Sequence, residues 1–168
     1  GTTGRVIGVD MTPTMISKAR ANADKGNYSQ VEFRLGEIEY LPVADNTVDV
    51  IISNCVINLS PNKAQVFCDA YRVLKPGGRL AISDVVASTE MPGEMKNDPL
   101  LHAGCMAGAE LVHELERMMA EAGFNDIRIP PKDDWRDFIK DWAPKQGTAD
   151  YVLAVPLGPL NPGGGMRR

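Results

Sequence analysis

The stretch Leu74-Lys-Pro-Gly-Gly-Arg-Leu-Ala-Ile-Ser-Asp-Val-Val86 decides the fold of this chain. Lys75-Pro-Gly-Gly78 cannot continue a helix, because proline lacks the N–H a helix interior needs and glycine favours its end. Arg79 to Val86 that follows is apolar enough for a strand covered on both faces. Upstream, Lys63 to Leu74 reads as a helix with Val66, Ala70, Val73 and Leu74 facing inward. A helix that runs straight into a buried strand is part of a parallel β-α-β unit.

The same pattern extends in both directions. Val48-Asp-Val-Ile-Ile-Ser53 and Val31-Glu-Phe-Arg-Leu35 are expected strands, and Arg5-Val-Ile-Gly-Val-Asp10 is a short apolar run ending in an acid. Thr12-Pro13 has the form of a helix start, with Met15, Ile16, Ala19 and Ala23 as the apolar stripe. Downstream, Met91 to Met106 contains Pro92, Pro99 and Gly104 and reads as two short helices joined by a loop. Ala109 to Ala122 is an expected helix ending at Gly123, Asp126 to Ile129 a strand, Asp133 to Trp142 a charged helix, and Asp150 to Val155 the last strand. The fold class is therefore α/β with a mostly parallel sheet and a hairpin-like pair of strands at one edge. Residues 1–155 form one domain in this reading, and the Gly/Pro-rich residues 156–168 a disordered tail. No internal repeat is visible.

Composition narrows the function. The chain has 168 residues, 43% hydrophobic and 24% charged, as one globular domain would. Its net charge of −4 argues against nucleic acid, which asks for a basic stripe. No apolar run approaches the roughly 20 residues of a membrane span, and no signal segment opens the chain, so a cytoplasmic location is expected. Three cysteines, Cys55, Cys68 and Cys105, do not make a disulfide framework. Gly1-Thr-Thr-Gly4, with no Met, stands directly before a strand, which predicts that the natural amino terminus lies further upstream.

A doubly wound sheet binds its ligand at the carboxyl ends of the strands. Asp10 stands at such an end, where a carboxylate can accept both hydroxyls of a ribose; capping the next helix is the equally weighted alternative.

The run Phe33 to Pro42, Asp45, Val48 to Asn54 and Leu74-Lys-Pro-Gly-Gly78 resembles the class I S-adenosylmethionine-dependent methyltransferases. The resemblance implies a Rossmann-like sheet whose last strand runs antiparallel to the rest. It implies S-adenosylmethionine as cofactor, held by Asp10, Met11, Glu37, Ile38 and Asn54. Glu37 would meet the adenine amine, Ile38 the ring face, and Gly36 would let the backbone approach the ring. One part of the pattern is absent: the superfamily's first strand and the glycine-rich loop after it, for which Gly1 to Gly4 are too few residues. Weak cofactor binding by this chain alone is the expectation.

Three further motifs resemble the arsenite methyltransferases: Ser53-Asn-Cys-Val-Ile-Asn-Leu59 with Pro61 and Lys63, Gly104-Cys-Met-Ala-Gly-Ala109, and Phe138-Ile-Lys-Asp-Trp-Ala-Pro144. That resemblance runs from about Val6 to Val155. It implies that Cys55 and Cys105 hold trivalent arsenic during methyl transfer, that arsenite or methylarsenite arrives as a thiol conjugate, and that glutathione or thioredoxin serves as reductant. Trivalent arsenic is soft and prefers thiolates, as soft metals do. It keeps a lone pair and, once thiolate-bound, has no proton to lose, so no general base is needed. The family's amino-terminal cysteines have no counterpart here. Cys68 is assigned to packing. His102, three positions before Cys105, gives a weaker nucleophile or metal reading, and Trp135 and Trp142 read as core or rim. Two alternatives stand beside this one: a class I methyltransferase for another small acceptor, and a metalloid-binding remnant without catalysis.

Overall fold

The computed structural model describes residues 3–87, 89, 90, 108–129 and 152–162. In chain order these form β1 (Val6–Asp10), α1 (Pro13–Lys25), β2 (Val31–Leu35), β3 (Val48–Asn54), a 3-10 turn (Ile57–Leu59), α2 (Lys63–Val73), β4 (Leu74–Ala87), α3 (Val112–Ala122), β5 (Phe124–Asn125) and β6 (Val152–Pro162). β1 and β2 pair in parallel, Val6 with Val31 and Asp10 with Leu35. β3 pairs in parallel with β4, Asn54 opposite Ser83. β6 runs antiparallel between β4 and β5. The expected α/β class, mostly parallel with an antiparallel carboxyl-terminal strand, is what the chain adopts.

Local chemistry accounts for the helices. Pro13 opens α1, and Ile16 is its buried residue. The Asn62 side chain accepts the Gln65 N–H at the start of α2. Helix α2 buries Val66, Phe67, Ala70 and Val73. Helix α3 buries Leu115 and Met119 and stops at Gly123, whose φ of 107° suits glycine. Phe67, Val86 and Met119 are wholly buried and bring α2, β4 and α3 into one core. The Tyr71 and Phe124 rings close it edge to face, centroids 5.4 Å apart.

The second half departs from the sequence reading. The helix expected from Ala109 begins at Val112, because the preceding residues join the sheet: Ala87 donates its N–H to Glu110 and bridges in parallel to Leu111. Residues 126–129 are not a strand; Asp126 takes a left-handed φ of 59°, which breaks the extended path, and Arg128 turns back to pair with its carboxylate. The tail expected to be disordered from residue 156 is strand as far as Pro162, with Pro156 opposite Ser83 and Pro162 opposite Phe124. Strand β4 offers a ladder long enough to hold it, and pairing overrides the Gly/Pro composition. The expected helices within 91–106 and 133–142 lie outside the described residues.

Among the described residues no strand pairs with both β1 and β3, so the sheet stands as two parts. A cavity of about 260 Å³ lies between them, lined by Ile7 and Val9 of β1, Val50 and Ile52 of β3, and Phe67 and Ala70 of α2. Ile52 is 82% exposed. Two apolar strand edges thus face an open slot.

Candidate active site

The carboxyl ends of β1 and β2 come together as expected. The Gly36 N–H donates to the Asp10 carbonyl at 3.1 Å, so the Asp10 carboxylate and the Glu37–Ile38 segment stand side by side. Glu37 and Met11 are exposed, and Ile38 is half-buried against the core. Gly36 also has a reason to be glycine within the fold. A Cβ there would stand 2.7 Å from Cδ of Pro42, so the close approach is to the protein's own proline ring.

Asp10 also acts on the helix that follows, since its Oδ1 accepts the Thr12 N–H at 2.7 Å. The Thr12 side chain makes no cap bond of its own. The two readings of Asp10 are therefore compatible, one oxygen serving the turn and the second left for a ribose. Asp10→Ala should lose about 0.5–2 kcal/mol of stability, the scale for a helix-start bond. Asp10→Asn should retain most of that stability, while in a full-length form that binds S-adenosylmethionine both variants should weaken the cofactor by about 1.5–3 kcal/mol. Thermal melts and calorimetric titration read the two effects separately. Equal cofactor affinity in all three proteins would leave only the turn.

The loop after Ile38 is held by α2. Arg72 donates to the carbonyls of Leu41 (3.0 Å) and Val43 (2.9 Å) and pairs with Asp69 and Asp45. Asp69, buried, accepts the Leu41 N–H at 2.6 Å. Gln65 donates to the Glu39 carbonyl, and the Ser60 hydroxyl bonds the Glu39 carboxylate. The adenosine side is thereby fastened to the turn that follows β3.

That turn begins at Cys55. Strand β3 ends at Asn54, which is exposed, and the Cys55 N–H donates to the Ser83 carbonyl at 2.9 Å. Cys55 is half-buried and has a φ of 51°, a left-handed conformation costing a non-glycine residue about 1–2 kcal/mol. Such strain at a strand's carboxyl end is characteristic of functional positions. Burial, and then the charge of Asp84, push the Cys55 thiol up from its ordinary value.

Asp84, on β4, is 5% exposed, and burial pushes its carboxyl up in turn. Its Oδ1 accepts the Val85 N–H at 2.8 Å and the Asn58 Nδ2 at 2.9 Å. Asn58, itself buried, also donates to the Val85 carbonyl at 2.6 Å. A Cβ on Gly108 would stand 2.0 Å from the Asn58 carbonyl oxygen, so the two backbones touch. Neither Asn58 nor Asp84 carried a site role in the sequence reading. The signal for Asp84 was an acid inside an apolar strand, a residue type that is seldom buried without partners.

Cys68 is exposed on α2, which corrects its assignment to packing: the helix turns Phe67 and Asp69 inward and Cys68 outward. Cys105, His102, Trp135 and Trp142 lie outside the described residues. Among the described residues, no helix is long and apolar enough to cross a membrane.

Comparison with known proteins gives this site its relatives. The family described as a methyltransferase domain matches residues 1–123. The arsenite methyltransferase of Halobacterium salinarum is 53% identical over 157 residues, 94% of this chain and 40% of that protein. The arsenite methyltransferase of Homo sapiens is 41% identical over 138 residues, 77% of this chain and 37% of that protein. The chain thus spans about two fifths of the length of these relatives. The crystal structure of an arsenic(III) S-adenosylmethionine methyltransferase from Chlamydomonas reinhardtii superposes with a TM-score of 0.79 at 34% identity, covering 98% of this chain and 57% of that one. A match across residues 1–123 is most of the chain, and on it the chain belongs to the methyltransferase-domain family and carries the class I methyltransferase fold.

Proposed function

We propose that this chain takes part in the transfer of a methyl group from S-adenosylmethionine to trivalent arsenic held by Cys55 and Cys105. The observation that carries the proposal is the strained, half-buried Cys55 at the carboxyl end of β3, on a turn that touches Gly108. Gly108 follows Cys105 by three residues, and three residues of chain reach at most about 11 Å. The segments bearing the two thiols therefore leave from a common contact. The similarity to arsenite methyltransferases supports arsenite as the substrate; in this proposal arsenite or methylarsenite arrives as a thiol conjugate in the cytoplasm.

The residues present fit the cofactor's adenosine half. Asp10 would offer a carboxylate to the ribose and Glu37 and Ile38, next to it through the Gly36–Asp10 bond, would meet the adenine, with the exposed Met11 and Asn54 as further contacts. When bound, S-adenosylmethionine supplies an electrophilic methyl to the arsenic lone pair. The chain's own part is ligation and alignment, which in well-oriented systems is worth about 7–11 kcal/mol. Two thiolates complete the coordination of a monomethylated arsenic. Arsenite needs a third sulfur, which glutathione or a further cysteine supplies.

Thiol counting tests the proposal. With one equivalent of phenylarsine oxide, reactive thiols should fall from three, the number of cysteines, to one, and peptide mapping should find the survivor at Cys68. A protein that binds S-adenosylmethionine yet keeps all its thiols free would be a methyltransferase for another acceptor.

A further inference from the structure

Strand β4 and the Cys55 turn are joined by one buried side chain. The Asp84 carboxylate, 5% exposed, takes the Asn58 amide at 2.9 Å, and Asn58 spans back to the Val85 carbonyl at 2.6 Å. The N–H dipoles of Ile57 and Asn58, at the start of the 3-10 turn, also act on the carboxylate. The other end of the turn is pinned where the Cys55 N–H meets the Ser83 carbonyl, on the residue before Asp84. Between these two attachments Cys55 keeps a φ of 51°, a conformation that persists only where its surroundings over-determine it. Among the described residues, Asp84 Oδ2 has no hydrogen-bond partner. A carboxylate this buried and only half satisfied is unfavourable for stability alone.

We infer that Asp84, acting through Asn58, is a positioning residue that holds the Cys55 thiol in its ligating orientation. The inference rests on the arsenic reading for its purpose, and on the described hydrogen bonds for its mechanism. Without Asp84 the Asn58 amide loses its carboxylate acceptor and keeps the Val85 carbonyl, the turn is held less firmly against β4, the left-handed Cys55 relaxes toward an ordinary φ, and the sulfur moves. Misplacement by about 1 Å is enough for losses on the order of 10²-fold at a reacting centre.

The test compares Asp84→Ala, Asp84→Asn and Asn58→Ala with the unaltered chain. Asp84→Ala and Asn58→Ala should lower affinity for phenylarsine oxide by at least about tenfold. They should also raise the rate at which neutral iodoacetamide alkylates Cys55, mapped by mass spectrometry, with Cys68 in the same molecule unchanged. Asp84→Asn keeps an acceptor for Asn58 and should restore both readouts most of the way. A variant that merely unfolds would expose other buried sites and lose its thermal unfolding transition as well, and Asp84→Asn then decides the matter. Normal arsenical affinity and normal Cys55 alkylation in folded Asp84→Ala and Asn58→Ala overturn the inference. If the unaltered chain ignores phenylarsine oxide while Asp84→Ala still accelerates Cys55 alkylation, the positioning role stands and the arsenic reading fails.

Discussion

In a full-length form that binds S-adenosylmethionine, Cys55→Ser, and separately Cys105→Ser, is expected to abolish methylation of methylarsenite while leaving cofactor affinity within about twofold. The physical reason is the ligand atom: a hydroxyl is hard, poorly ionised and a weak partner for soft arsenic. With a single thiolate left, the arsenical is no longer chelated and its lone pair is no longer aimed. The loss should reach at least 10²-fold, roughly the scale of misalignment in a reacting pair. Cys68→Ser, on the exposed face of α2, should be silent in activity and within about 0.5 kcal/mol in stability. A further variant separates function from folding. Because Cys55 has a φ of 51°, Cys55→Gly should be about 1 kcal/mol more stable than Cys55→Ser and equally inactive. Dimethylated arsenic produced at an undiminished rate by Cys105→Ser would remove the paired-thiol mechanism.

The second large effect concerns the 168-residue polypeptide by itself, which is expected to self-associate and to bind S-adenosylmethionine weakly or not at all. Among the described residues the facing edges of β1 and β3 share no ladder partner, and the slot between them is lined by Ile7, Val9, Val50 and Ile52. Unpaired backbone groups cost roughly 1–3 kcal/mol each when buried, against a total stability of about 5–15 kcal/mol for a domain. Exposed apolar edges lower that cost by pairing with other chains. Asp10 and Glu37 would meet the cofactor's adenosine half, but residues 1–168 contain no recognisable glycine-rich loop for its methionine half. Sedimentation should show mass rising with concentration, and calorimetric titration with S-adenosylmethionine should show little heat. A stable monomer with micromolar cofactor affinity would overturn both expectations.

How far the chain could be read in advance varied along its length. From Val6 to Val86 each strand and helix carried its own period and its own punctuation, Pro13 at one start and Lys75-Pro-Gly-Gly78 at one stop, so local rules sufficed. Even the error at Cys68 was avoidable. It lies two residues beyond Val66, about 200° around the helix from the inward stripe, and therefore points away from the core. After Val86 local rules lost their hold. Asp126 to Ile129 has the alternation of a strand, yet the left-handed Asp126 ends the extended path after two paired residues. Residues 156–162 have the composition of a loose tail, yet they complete a ladder with β4 and β5.

What the sequence by itself determined is the order of elements, the α/β class, and the motif residues at the strand ends, Asp10, Glu37 and Cys55. Those follow from patterns confined to a few neighbouring positions, where side-chain period and backbone stereochemistry dominate. Only the tertiary structure decided what surrounds the thiol. The Asn58 amide meets Asp84 across 26 positions, Gly108 rests on the Asn58 carbonyl, and Cys55 is turned left-handed between two attachments to β4. Each is a contact between elements distant along the chain. The hydrogen bond that makes a buried carboxylate tolerable, or the missing Cβ that lets two backbones touch, exists only once packing has brought the partners together.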